Sequence, residues 1–218
     1  NDFGLFRGAT VTDAGQLQQI MVSTPTRRSF VAGYEGTSEG LDRVALGVDC
    51  DLVRENIYVG DAATAQNLAY LRRLNVTHIL NVAEGHGAGM VPTNAMSYAG
   101  TGISYLGISA LDQPAFDIAH YFHQAAAFID SCGSNGKLPS CEMYVCGAVP
   151  HFTSNYICFL RGRSRSAAAV LAYLMMRRHI PAPMAMKLCC SVRAFHLNIG
   201  FLEQLAELHN SLCSAANN

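Results

Sequence analysis

Gly162-Arg163-Ser164-Arg165-Ser166 runs directly into the apolar stretch Ala167 to Met176, and this junction decides how the chain is read. A tight loop carrying two hydroxyls and two arginines opens into a helix. Such a junction aims backbone N–H groups and the positive end of the helix dipole at one point, which suits an anion. Arg165 adds a planar guanidinium able to hold two oxygens of a phosphate at once. Gly162 lets the backbone approach closely where a side chain would intrude. Before the loop, Tyr156 to Leu160 is an apolar run of the kind that forms a buried strand. A ligand loop at the carboxyl end of a strand is where open α/β sheets place their sites.

The flanking segments extend that pattern. Asn56 to Gly60 reads as a strand, and Asp61 to Leu74 as one helix with Ala65, Leu68, Ala69 and Leu71 on one side. Val76 to Val82 is a strongly β-forming run, Gly85 to Met90 a Gly-rich loop, and Ile103 to Ile108 another strand. A helix is expected from about Asp117, and two more around Met184 to Phe195 and Phe201 to Leu212. Strands alternating with helices predict an α/β domain, with a central, largely parallel twisted sheet and helices on both faces. Residues 1–50 form an arm rich in Gly, Ser and Thr. There Thr12-Asp13 can cap a short helix carrying Leu17, Ile20 and Met21, and the rest reads as loop.

Composition narrows the function. The 218 residues are 50% apolar and 14% charged, with a net charge of −1, enough for one sizeable core in one domain. Near-neutral charge gives no support for nucleic-acid or membrane binding. No apolar run is long enough to span a bilayer, and Asn1-Asp2 does not start a secretory signal. The missing initiating Met is read as the mark of a fragment or a processed chain. Eight scattered cysteines without a secretory context suggest a reduced intracellular protein, in the cytoplasm or also the nucleus.

The loop resembles the phosphate-binding loop of the cysteine-dependent protein phosphatases, whose pattern is His-Cys-x-x-Gly-x-Ser-Arg-Ser. Arg54 to Ala62, Val76 to Asn81, Tyr105 to Ile108, Ala172 to Met176 and Gly200 to Leu205 are similar to the small atypical dual-specificity phosphatases. The resemblance covers roughly residues 51–130 and 162–213. It implies a protein-tyrosine-phosphatase-like fold over residues 51–213, acting on phosphotyrosine and on phosphoserine or phosphothreonine in proteins without metal or cofactor. The implied partners are phosphorylated proteins, protein kinases of signalling cascades among them.

The resemblance also implies roles. Arg165 binds the phosphoryl oxygens and stabilises developing charge. Ser166 assists the leaving thiolate, and Arg161, Gly162, Arg163 and Ser164 complete the phosphate cradle. Asp112, in Ala110-Leu111-Asp112-Gln113-Pro114, stands where the family has its general acid, and Asp117 reads as a helix cap. The segment Arg193 to Gly200 is shorter than its counterpart in the family, which leaves a phosphate-facing basic residue there in doubt.

The pattern fails between about residues 131 and 160. Phe159 occupies the nucleophile position, and Cys158 stands one residue too early, on the opposite side of an extended strand. Leu138 to Asn155 is longer than the family's connection and contains Pro139, Gly147 and Pro150. Three readings remain open: a pseudophosphatase that binds phosphoproteins, an active phosphatase whose segment is altered by splicing or a faulty gene model, and a displaced nucleophile at Cys146. Tyr156 to Arg161 can be back-translated as a pyrimidine-rich tract ending in AG, as at an intron's end, which is compatible with the second. Cys141, Cys146, His151 and Cys158 could together hold zinc, but their spacing matches no close-paired knuckle, and loop or buried thiols are the better account.

Overall fold

Five short strands carry the site. A computed structural model describes residues 5–27, 29–38, 40, 42–54, 56–132, 154–158 and 162–217. The strands are β1 (Cys50–Arg54), β2 (Ile57–Gly60), β3 (Val76–Asn81), β4 (Ser104–Gly107) and β5 (Ser154–Cys158). They form one sheet in the order β1-β2-β5-β3-β4. β2, β5, β3 and β4 run parallel, and β1 joins β2 antiparallel. The fold is therefore the α/β class expected, with a largely parallel sheet. β5 comes late in the chain and sits in the centre. Cys158 pairs with both Gly60 and Asn81, so the carboxyl ends of β2, β3 and β5 lie level. β5 thus ends in the middle of the sheet, at the carboxyl edge where open α/β sheets place their ligands.

The helices are α1 (Ala14–Ser23), α2 (Arg43–Leu46), α3 (Ala62–Gln66), α4 (Leu68–Arg73), α5 (Phe122–Ser131), α6 (Arg165–Arg178), α7 (Ala182–Cys190) and α8 (Ile199–Asn217). Alternation along β3 sorts them onto two faces. Leu80 faces the larger core, shared with α5 to α8, while Ile79 packs with Tyr70, Leu71 and Tyr98 on the other side. Every residue from Ala167 to Met175 in α6 is buried. A helix apolar all round belongs to the core, and burying α6 fixes its N-terminus beside the end of β5.

Four elements differ from their sequence reading. Asp61 to Leu74 is two helices, because Asn67 takes a non-helical conformation (φ −89°, ψ 82°) and its side chain accepts from the Tyr70 N–H; Asn competes for the backbone and favours such caps. α5 starts at Phe122, after a 3-10 turn over Ala119–Tyr121, and Asp117 caps that turn by accepting from the His120 N–H at 3.1 Å. α7 stops at Cys190, short of Phe195, and residues 191–198 turn back onto the site. The arm holds the expected short helix as α1, where Asp13 and Gln16 form a capping box and which packs against α7 and α8, and it adds α2 where a loop was expected. Asn210 also clamps both the N–H and the carbonyl of Thr12.

Cys50, Cys132, Cys189, Cys190 and Cys213 are buried free thiols. Among the described residues no helix is long and apolar enough to cross a membrane. Phe159, Arg161, Cys141, Cys146 and His151 lie outside the described residues.

Candidate functional site

The loop entering α6 is held from three sides. Gly162 sits at φ 61°, and a Cβ there would stand 2.7 Å from the Gly60 carbonyl oxygen and 3.1 Å from Arg193 Nη2. Both the left-handed backbone and the close approach to β2 require glycine. Arg193 Nε donates to the Gly162 carbonyl at 3.0 Å, and the His196 N–H to the Arg163 carbonyl at 2.7 Å. Ser164 is the N-cap of α6, yet its hydroxyl makes no cap bond. It donates instead to Asp112 Oδ1 at 2.7 Å.

Asp112 thereby joins three loops. Its Oδ1 also accepts from Asn198 Nδ2 at 2.9 Å. Asn198 Oδ1 accepts from the Phe201 N–H at the start of α8, which fixes the amide with its NH2 toward Asp112. Oδ2 of Asp112 lies 3.9 Å from Arg165 Nε, and 39% of the side chain is exposed. Pro114, two residues on, packs so tightly on α8 that any side chain at position 200 would collide with its carbonyl.

Arg165 is only 5% exposed. Nη1 donates to the Ala110 carbonyl at 2.8 Å, Nη2 to the Gly89 carbonyl at 2.6 Å, and Met90 Sδ lies 3.5 Å from Nη1. Burial lowers its pKa from the ordinary arginine value, with Asp112 offsetting only part of that. Ser166, fully buried in the first turn of α6, has a hydroxyl with no hydrogen-bond partner among the described residues. Arg163 is exposed at the rim. The structure thus brings Asp112, Gly162, Ser164, Arg165 and Ser166 together at one helix N-terminus. Such a set can bind an oxyanion, with a carboxyl group at hand for proton transfer.

Two residues of this site were missed by sequence reasoning. Arg193, left in doubt there, is an anchor. Besides holding Gly162, it bonds Asp49 at 2.8 and 3.0 Å and Asp51 at 2.6 Å, and Arg43 also contacts both carboxylates. Burial pulls the Arg193 guanidinium down, but the two aspartates more than offset it, so its pKa ends above the ordinary value. Burial likewise pushes Asp49 up, and Arg193 and then Arg43 bring it below the usual carboxylate range. A lone arginine in the otherwise apolar Val192 to Phe195, with Asp49 and Asp51 bracketing a buried Cys50, was the available signal. Asn198, immediately before an apolar helical run, carried the ordinary signature of an N-cap.

A cleft of about 600 Å³ adjoins the loop, lined among others by Arg27, Ser29, Asp49, Arg163 and Arg193. Burial pushes the Cys189 thiol up to about 12 and the Cys190 thiol to about 11, so both stay protonated at neutral pH. Among the described residues no cluster of His, Cys, Asp or Glu is placed to hold a metal ion.

No family model matches the chain. Among curated proteins it is 38% identical over 162 residues to human (Homo sapiens) dual specificity protein phosphatase 26, covering 74% of this chain and 68% of that protein. Among solved structures it resembles human DUSP28 at a TM-score of 0.59 and 24% identity, covering 75% of this chain and 94% of the other. It also resembles the human tyrosine phosphatase-like serine/threonine/tyrosine-interacting protein at a TM-score of 0.61 and 22% identity, covering 75% and 97%. The structural likenesses give the fold, and the sequence relationship gives the family: the chain belongs to the dual-specificity protein phosphatases.

Proposed function

We propose that this chain binds phosphorylated protein side chains at the loop Gly162 to Ser166 and does not hydrolyse them. One observation carries the reading: Phe159 stands six residues before Arg165, where the family pattern has its nucleophilic cysteine. A phenyl ring has no lone pair, so no phosphocysteine forms. The anion-binding half of the site supports retained binding, through Arg165 for the phosphoryl oxygens and the N-terminus of α6 with Ser166 behind it. Arg163, exposed at the rim, extends the cradle toward the substrate. The ligands are phosphotyrosine and phosphoserine or phosphothreonine on proteins, protein kinases among them, in the cytoplasm or nucleus, and no metal or cofactor takes part. The purified chain should show negligible turnover of an aryl phosphate at neutral pH. Phosphate or phosphopeptide binding should fall about 10- to 100-fold in Arg165→Ala, the range for hydrogen bonds to a charged group. Robust vanadate-sensitive turnover would overturn the inactive reading, and equal affinities would overturn the binding one.

A second reading is an active phosphatase whose residues 131–160 are altered by splicing or a gene-model error. The position of Asp112 favours it, because a carboxylate 3.9 Å from the anion-binding arginine opposes pure anion binding and suits proton transfer. Replacing residues 138–160 by a short strand ending in His-Cys should then create activity. In that repaired chain Asp112→Asn should slow the chemical step by about 10²- to 10⁴-fold.

A further inference from the structure

The Gly-rich loop Gly85 to Met90 does more than connect β3 to the next segment. It supplies two neighbouring acceptors to Arg165, the Gly89 carbonyl at 2.6 Å from Nη2 and Met90 Sδ at 3.5 Å from Nη1. The glycines make the second contact possible. Gly85 takes φ 152°, and a Cβ on it would come within 3.1 Å of Met90 Cε. The Met90 N–H closes a turn on the Gly87 carbonyl at 3.0 Å. The thioether is thus seated over bare backbone, half-buried, with its sulfur directed at the guanidinium.

We propose that Met90 is an oxidation site that gates oxyanion binding at Arg165, an inference that rests on the phosphate-binding reading above. The oxidant is a peroxide. A sulfur lone pair attacks one peroxide oxygen, the O–O bond breaks as an S–O bond forms, and water leaves; the thioether is oxidised by two electrons and the peroxide reduced. Methionine sulfoxide reductases reverse the step, two thiols becoming a disulfide as the sulfoxide oxygen leaves as water. The thioether is a weak acceptor, whereas the sulfoxide oxygen is strongly polar. Held within reach of Nη1, it takes a charge-assisted hydrogen bond from Arg165 and sets partial negative charge beside the anion's place. Met96, 80% exposed, and Met184, 48% exposed, are built-in controls for oxidation elsewhere on the chain.

The test compares the full chain before and after hydrogen peroxide, with thiols re-reduced by dithiothreitol and sulfoxides located by tandem mass spectrometry. Inorganic phosphate is the probe. Chain carrying the Met90 sulfoxide should bind it about tenfold more weakly, the lower end for a hydrogen bond to a charged group. Methionine sulfoxide reductases A and B together should restore the affinity. Met90→Leu should keep its affinity through the treatment although Met96 and Met184 are oxidised. Three results overturn the gate: Met90 sulfoxide with unchanged affinity, an equal loss in Met90→Leu, or Met90 staying reduced while Met96 oxidises. Untreated chain that binds no phosphate, or binds it independently of Arg165, fails the parent reading and the gate together, and does so before any peroxide is added.

Discussion

Arg165 and Arg193 are equally buried, 5% and 4% exposed, and the protein treats them in opposite ways. Arg193 is closed into an ion cluster with Asp49 and Asp51, both shared with Arg43, and donates from Nε to Gly162. Arg165 is steered by two carbonyls and a thioether, with its carboxylate neighbour 3.9 Å away. The difference shows in their proton affinities, raised for Arg193 and lowered by burial for Arg165. A buried cation matched by carboxylates is a strut. A buried cation oriented mainly by neutral acceptors still has charge to give to an incoming anion.

Removing each arginine is the hardest test of that contrast. Arg193→Met leaves the buried Asp51 and the half-buried Asp49 to Arg43 and frees the Gly162 carbonyl. Breaking one side of a buried ion cluster costs about 3–5 kcal/mol. Arg165→Met loses hydrogen bonds to Gly89 and Ala110 but also relieves a desolvated charge, so its net cost should stay at about 1 kcal/mol. Urea unfolding of the two variants should separate them clearly. Equal losses would mean that Arg165 is as structural as Arg193.

Acid probes the same cluster from the carboxylate side. Asp49 has its folded pKa below its unfolded value, near 3.9 for a free aspartate. Its contribution is therefore fully present above about pH 4 and disappears as pH falls through the lower folded value. Unfolding free energy should drop on acidification below about pH 4, and Asp49→Asn should flatten that drop. A wild-type profile no steeper than the variant's would show that Asp49 adds nothing to the cluster.

On the other side of the site the forces are neutral and smaller. Asn198→Ala removes a cap on α8 and one donor to Asp112, and a lost N-cap costs about 1 kcal/mol. Asn198→Asp should keep the cap bond to Phe201 while setting a second carboxylate against Asp112. If Asn198→Asp is as stable as wild type, the Asn198–Asp112 contact carries no weight.

This contrast also sets what could be read from the chain alone. Strands β2 to β5, α6 and the loop Gly162 to Ser166 were legible because each is a contiguous signal (a β-forming run, an all-apolar helix, a glycine and hydroxyls at a helix start), whereas β1, with Asp51 and Arg54 in its short run, was not read. Asp112 was legible through its family motif. The Arg193 cluster was not, because its members are 142 and 144 residues apart and none belongs to a local pattern. The break at Asn67 was missed since Ala65, Leu68, Ala69 and Leu71 keep helical spacing across it. Met90 was visible only as the end of a Gly-rich loop, whose purpose appears once Arg165 lies against it.

The smallest expected effect on stability comes from Ser166→Ala, and it sharpens the comparison most. A buried hydroxyl with no partner among the described residues is a cost to the folded state, and its removal at near-constant shape should leave stability unchanged or raise it by up to about 1 kcal/mol. A serine serving only the fold would behave in the reverse way, losing about 1 kcal/mol with its hydrogen bond. If Ser166 serves the anion instead, the same variant should bind inorganic phosphate more weakly while melting no earlier. Its hydroxyl then belongs with the anion site rather than with the frame. A variant that melts earlier and binds phosphate as before would move Ser166 to the side of Arg193, as part of the frame.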